Sequence, residues 1–100
     1  MRFEYEAPLL DYMMKKEMTT IAVEVISSSN SDFEVTELYV HLMKDKQAEY
    51  FKEKKRFRGI STEHGEVLLP PYRLEYDDTI TFGLKKFWIF HSVRYEGIRL

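Results

Sequence analysis

Apolar and polar positions alternate along several stretches of the chain. Residues 19–26 read TTIAVEVI, with Ile21, Val23 and Val25 on one parity and Ala22, Glu24 and Ile26 on the other. β-Branched residues at period two predict a strand. Six small polar residues follow at 27–32 (SSSNSD). Their side chains compete for nearby backbone hydrogen bonds, which predicts a turn. Residues 33–43 predict the next strand. Their apolar positions change parity, from Phe33 and Val35 to Leu38, Val40 and Leu42. Such a change predicts a bulge near Thr36 and Glu37.

Residues 67–76 read VLLPPYRLEY. Pro70 and Pro71 donate nothing to a ladder, so they predict a kink, an edge or a crossing between sheets. Asp77 and Asp78 predict a turn, and Ile80, Phe82 and Leu84 then share one face of a strand. Residues 86–95 place Phe87, Ile89, Val93 and Tyr95 opposite Trp88 and Phe90. Apolar on both faces, this stretch predicts a central strand, with the run Phe87, Trp88, Ile89, Phe90 as core. Gly97 precedes a short end at 98–100.

Two stretches fit two readings. In residues 9–18 Leu and Met favour helix, while the Met13, Met14 pair breaks any clean period. Residues 44–58 are rich in helix formers, yet Ala48, Tyr50, Phe51 and Phe57 give a helix only a thin apolar face. Tyr50 and Phe51 also fit the end of a strand. No repeat, low-complexity tract or dividing linker interrupts the chain. The expectation is a single domain over 1–100, with 1–18 as an N-terminal arm or edge segment. Five or six strands at short spacing predict an all-β fold. Its architecture would be an antiparallel two-sheet sandwich with room for one short helix.

The order of segments resembles small prokaryotic immunoglobulin-like sandwich domains of the fibronectin-like and cell-adhesion-related kind. Ile21 to Val25, then Asn30, Ser31 and Asp32, then Phe33, Glu34 and Val35 look like their early strand pair with its polar turn. Leu74, Glu75, Tyr76, Asp77, Asp78, Thr79, Ile80, Thr81 and Phe82 look like the later turn that opens a strand. Tyr76 stands where Pro is usual and Asp77 where Gly is usual. The resemblance covers residues 19–95. It implies an immunoglobulin-like fold and a binding or scaffolding role, and no catalytic residues.

Composition narrows the chemistry. The chain has 100 residues, 44% of them hydrophobic and 15% aromatic, which is enough for one core. It has no Cys, so disulfides, thiolate metal sites and a Cys nucleophile are excluded. Absence of Cys suits a reducing cytoplasm, the expected location. The N-terminal residues lack an apolar core of the signal-peptide type, and no run approaches the length of a membrane helix. A membrane partner is therefore not expected.

His41, His64 and His91 are spaced too widely for a ligand motif, so no metal or cofactor is expected. Glu75, Asp77 and Asp78 form an acidic cluster without a calcium-loop pattern. Ser92 follows His91 directly, and strand neighbours face opposite ways. Ser61, Thr62, Glu63 and His64 are loop-like and lack a nucleophile elbow, and Glu63, His64, Gly65 and Glu66 read as a hairpin turn. No feature points to an enzyme. A hydrolase would need a concave site holding a His–carboxylate pair.

Net charge is −2, but it is unevenly spread. Residues 44–58 hold seven basic and three acidic residues, a net of +4, which leaves −6 for the rest. The expected function is a non-catalytic protein-interaction or structural module docking through sheet edges and this basic segment. Lys52, Lys54, Lys55, Arg56 and Arg58 would supply charge, and Phe57 an apolar anchor. The partner would be another protein or a second copy. The alternative is a nucleic-acid-binding accessory, with the same segment neutralising phosphates and stacking a base.

Overall fold

The computed structural model of the chain describes residues 1–29 and 34–100. The elements run β1 (Arg2–Tyr5), α1 (Ala7–Lys16), β2 (Thr20–Ser29), β3 (Glu34–Met43), α2 (Asp45–Lys54), β4 (Arg58–Thr62), β5 (Gly65–Leu69), β6 (Glu75–Phe87) and β7 (Phe90–Arg99). They form a three-stranded sheet in the order β1-β6-β7 and a four-stranded sheet in the order β3-β2-β5-β4. Of the turn expected at 27–32, Ser27 to Ser29 belong to β2. Asn30, Ser31, Asp32 and Phe33 lie outside the described residues.

The two sheets pack face to face, so the two-sheet expectation holds. Ile21, Val23, Val40, Val67 and Leu69 meet Ile80, Phe82 and Ile98 across the gap. The alternation read from the sequence sets this up, because Ile21 and Val23 share a parity. The purely antiparallel expectation is corrected: β1 pairs with β6, and β2 with β5, in parallel. Residue pattern reports which face is buried and carries no strand direction. The β2–β5 pair is joined through β3, α2 and β4, a connection long enough for a parallel crossover. Both of these strands are buried on two faces, since Ile21, Ala22, Val67 and Leu68 have no exposed surface.

Helices are also more numerous than expected, two among the described residues where one short helix was allowed for. In α1, Leu9 and Met13 lie four residues apart and enter the inter-sheet core. Glu17 ends the helix in the left-handed region at φ 56, and the Met18 N–H bonds the Met13 carbonyl at 3.0 Å. In α2, Ala48 and Phe51 cover the outer face of the four-stranded sheet. The thin apolar stripe suffices because Ala22, Met43, Leu68 and Phe57 complete a second core beneath it.

Register differs from the expectation in two places. The β2–β3 ladder runs without interruption from Thr20–Met43 to Ser29–Glu34, so no bulge interrupts Thr36 or Glu37. Ile26, opposite Glu37, faces solvent. The irregularity lies instead in β6–β7, where pairing shifts between Tyr76 and Thr81. Gly97 sits there at φ 94, and a Cβ on it would come within 2.7 Å of the Thr79 carbonyl. Asp77 and Asp78, expected in a turn, therefore lie inside β6. Pro70 and Pro71 do mark a crossing, from β5 in one sheet to β6 in the other. Among the described residues no helix is long and apolar enough to cross a membrane.

Candidate functional site

The run Phe87, Trp88, Ile89, Phe90 is not a central strand. It forms the tip of the β6–β7 hairpin, and the four side chains are 73%, 88%, 74% and 68% exposed. Leu84 pairs with Val93 and Phe87 with Phe90, which leaves Trp88 and Ile89 as a two-residue loop. Trp88 has φ 59, and positive φ at the first loop position alone is the II′ pattern, where Gly is the usual occupant. The sequence lacks Gly, Asn or Asp at this loop, which hid the turn. One signal was present. The apolar parity changes from even (Ile80, Phe82, Leu84) to odd (Val93, Tyr95), as a two-residue hairpin requires. Lys85 and Lys86 flank the tip, are exposed, and make no ion pair among the described residues.

The expected contact residues are dispersed by the fold. Lys52 lies on α2 and pairs with Glu66 at 3.0 Å. Lys54 ends the same helix in solvent. Lys55 caps it, with Nζ 4.4 Å from the centre of the Phe51 ring, a cation–π contact. Arg56 follows at φ 59, completing the left-handed exit from the helix, and Arg58 opens β4. Phe57 is corrected most sharply. Its ring is buried in the core beneath α2, 5.0 Å from Phe51 in edge-to-face geometry, and is not available as an anchor for a partner.

Arg56 and Arg58 instead join residues the sequence reading passed over. With Arg73, Tyr72 and Tyr76 they line a cleft of about 420 Å³. Leu69 and Leu74 form its apolar floor, and among the described residues no acidic side chain lines it. Burial pushes the Tyr76 hydroxyl above the usual tyrosine range, and the nearby Arg58 charge opposes that shift. The chain has six Arg. Arg2, Arg94 and Arg99 each hold a carboxylate, whereas the three in the cleft make no ion pair among the described residues. Tyr72 and Arg73 lie on the stretch that follows the two prolines, 14 and 15 residues past Arg58 at the end of the basic segment. No local pattern announces their convergence.

The histidines take separate roles. His41 bonds the Glu24 carboxylate through Nε2 and approaches the Leu42 carbonyl through Nδ1 at 3.3 Å. His41, His91 and Ser92 all line a cleft of about 230 Å³ between β3 and β7. Among the described residues no hydrogen bond joins either of these histidines to Ser92. His91 stacks on Tyr12 at 4.7 Å, and His64 meets the Tyr5 ring edge at 5.2 Å. Among the described residues no group of three or more His, Asp or Glu is arranged to hold a metal ion. In the acidic cluster, Glu75 and Asp77 both pair with Arg99.

Comparison with known proteins finds no family model, no curated protein and no solved structure that matches the chain.

Proposed function

We propose that the chain is a non-catalytic protein-interaction module whose docking element is the β6–β7 hairpin tip. One observation carries this reading. Trp88 is 88% exposed and sits at φ 59, so it gains little packing in a backbone conformation that disfavours large side chains. Folding alone is better served there by Gly. A bulky aromatic retained against local preference marks a residue used on something outside the chain. Phe87, Ile89 and Phe90 extend it into one apolar patch of the kind that marks contact surfaces. Aromatic side chains supply the anchors of protein interfaces, and the flanking Lys85 and Lys86 suit an acidic rim on the partner.

What supports an immunoglobulin-like relationship is the division into three- and four-stranded sheets. The two parallel pairings weigh against it. A cytoplasmic location is part of the same proposal, on the ground that a chain without Cys suits a reducing compartment.

The test is a photo-crosslinking amino acid placed at position 88 of the full chain in expressing cells, with position 49 on the exposed face of α2 as control. The expected outcome is a discrete protein adduct from position 88 and none from position 49. Equal adducts from both positions, or none from position 88, would overturn the proposal.

A further inference from the structure

We propose that the cleft formed by Arg56, Arg58, Arg73, Tyr72 and Tyr76 binds single-stranded nucleic acid. The site goes beyond the hairpin tip and stands apart from it. Tyr76 lies near the start of β6 and Trp88 just past its end. At about 3.3 Å per residue the two are roughly 40 Å apart.

Three features point to this ligand class. The first is charge. All three cations in the cleft are Arg, whose planar fork matches phosphate oxygens in pairs. Among the described residues none of them forms an ion pair. The other three Arg are held by carboxylates, and the nearby carboxylates are engaged elsewhere, Glu75 with Arg99 and Glu24 with His41. The second is the aromatic surface. Tyr72 is 62% exposed beside the arginines, so its face is open to a base. Tyr76 is half-buried and fixes the wall behind it. An acidic protein would satisfy the arginines and leave the exposed ring without a role. The third is position. Arg56 and Arg58 follow α2, while Tyr72 and Arg73 follow the proline crossing, so two separate chain segments line one groove. An extended strand can lie along such a groove with phosphates on the arginines and a base on Tyr72.

The experiment is fluorescence anisotropy of a labelled mixed-sequence single-stranded oligonucleotide, titrated with the full chain at several salt concentrations. Neutralising three phosphates of a single strand predicts a slope of log affinity against log salt of about −2. Arg73→Gln is expected to reduce it to about −1.4. Tyr72→Ala is expected to weaken binding roughly five- to a hundredfold, with the slope unchanged. Both residues are exposed, and a melting curve of each variant confirms that it is folded. Trp88→Ser is expected to leave oligonucleotide binding as it was, which separates this site from the docking tip. No binding at low salt would overturn the inference. So would binding that ignores both Arg73→Gln and Tyr72→Ala. Equal affinity for the matching duplex removes the stacking role, and equal competition by polyglutamate assigns the cleft to acidic protein. Either of those results also overturns it.

Discussion

The ring of Phe57 meets the ring of Phe51 edge-to-face at 5.0 Å, with 63° between their planes. This contact ties the exit of α2 to the helix itself, and Phe57 is only 9% exposed. Truncation therefore leaves a cavity against Phe51 and Met43. Phe57→Ala is expected to lower unfolding free energy by about 3 kcal/mol or more, measured by denaturant titration. Lys54→Ala, three residues earlier and in solvent, is expected to shift it by less than about 0.5 kcal/mol. A Phe57→Ala chain as stable as the original would place the ring back at the surface.

At the hairpin tip the expected sign is reversed. Trp88→Gly relieves a left-handed backbone and removes almost no packing. Stability is expected to rise by about 1 kcal/mol, since the strain at a non-Gly residue exceeds the extra entropy Gly loses on folding. Thermal unfolding of the two chains checks it. A fall in Tm would mean that Trp88 packs within the chain after all, and would remove the main support for the docking proposal.

Neighbouring methionines on α1 are expected to behave in opposite ways. Met13 is 3% exposed and enters the inter-sheet core, while Met14 is 80% exposed. Met13→Ala is expected to cost about 2–3 kcal/mol. Met14→Ala is expected to stay within about 0.5 kcal/mol. Parallel denaturation curves would show it, and equal effects would mean that α1 is rotated from the orientation described.

The pH dependence follows from two tyrosines. Burial pushes the Tyr5 hydroxyl above the usual tyrosine range, and its hydrogen bond with Thr62 at 3.1 Å pulls the other way. Tyr76 is raised by burial against the Arg58 charge. A raised pKa means that the fold prefers the neutral phenol. Its contribution is fully present below the unfolded tyrosine pKa and is lost as pH rises through the folded value. Stability is therefore expected to decline through the tyrosine range and above it. Tyr76→Phe is expected to flatten that decline, read from unfolding curves on the alkaline side. An identical alkaline profile in Tyr76→Phe would show that the residue contributes no linkage.

Much of the fold was legible. Ile21 and Val23 in β2, and Ile80 and Phe82 in β6, share parities that assign each pair to the buried face. Pro70 and Pro71 marked the passage between sheets because neither can donate to a ladder. The helices were harder. Ala48 and Phe51 form half a core, and whether half a core is enough depends on Ala22, Met43 and Leu68, which lie elsewhere in the chain. The aromatic run is ambiguous in sequence for a related reason. Consecutive apolar residues look alike whether a strand is buried on both faces or a turn carries them into solvent, and the loop lacks a turn residue.

By itself, then, the sequence determined the absence of thiol chemistry, the strands, their inward faces and the uneven charge. Each of those depends on residue identity or on the two-residue period of a strand. The tertiary structure alone decided which strands run parallel and that Phe57 is core while Trp88 is surface. It also decided that Arg73 and Tyr72 meet Arg56 and Arg58. These depend on which distant segments are neighbours in space, and no local period carries that information.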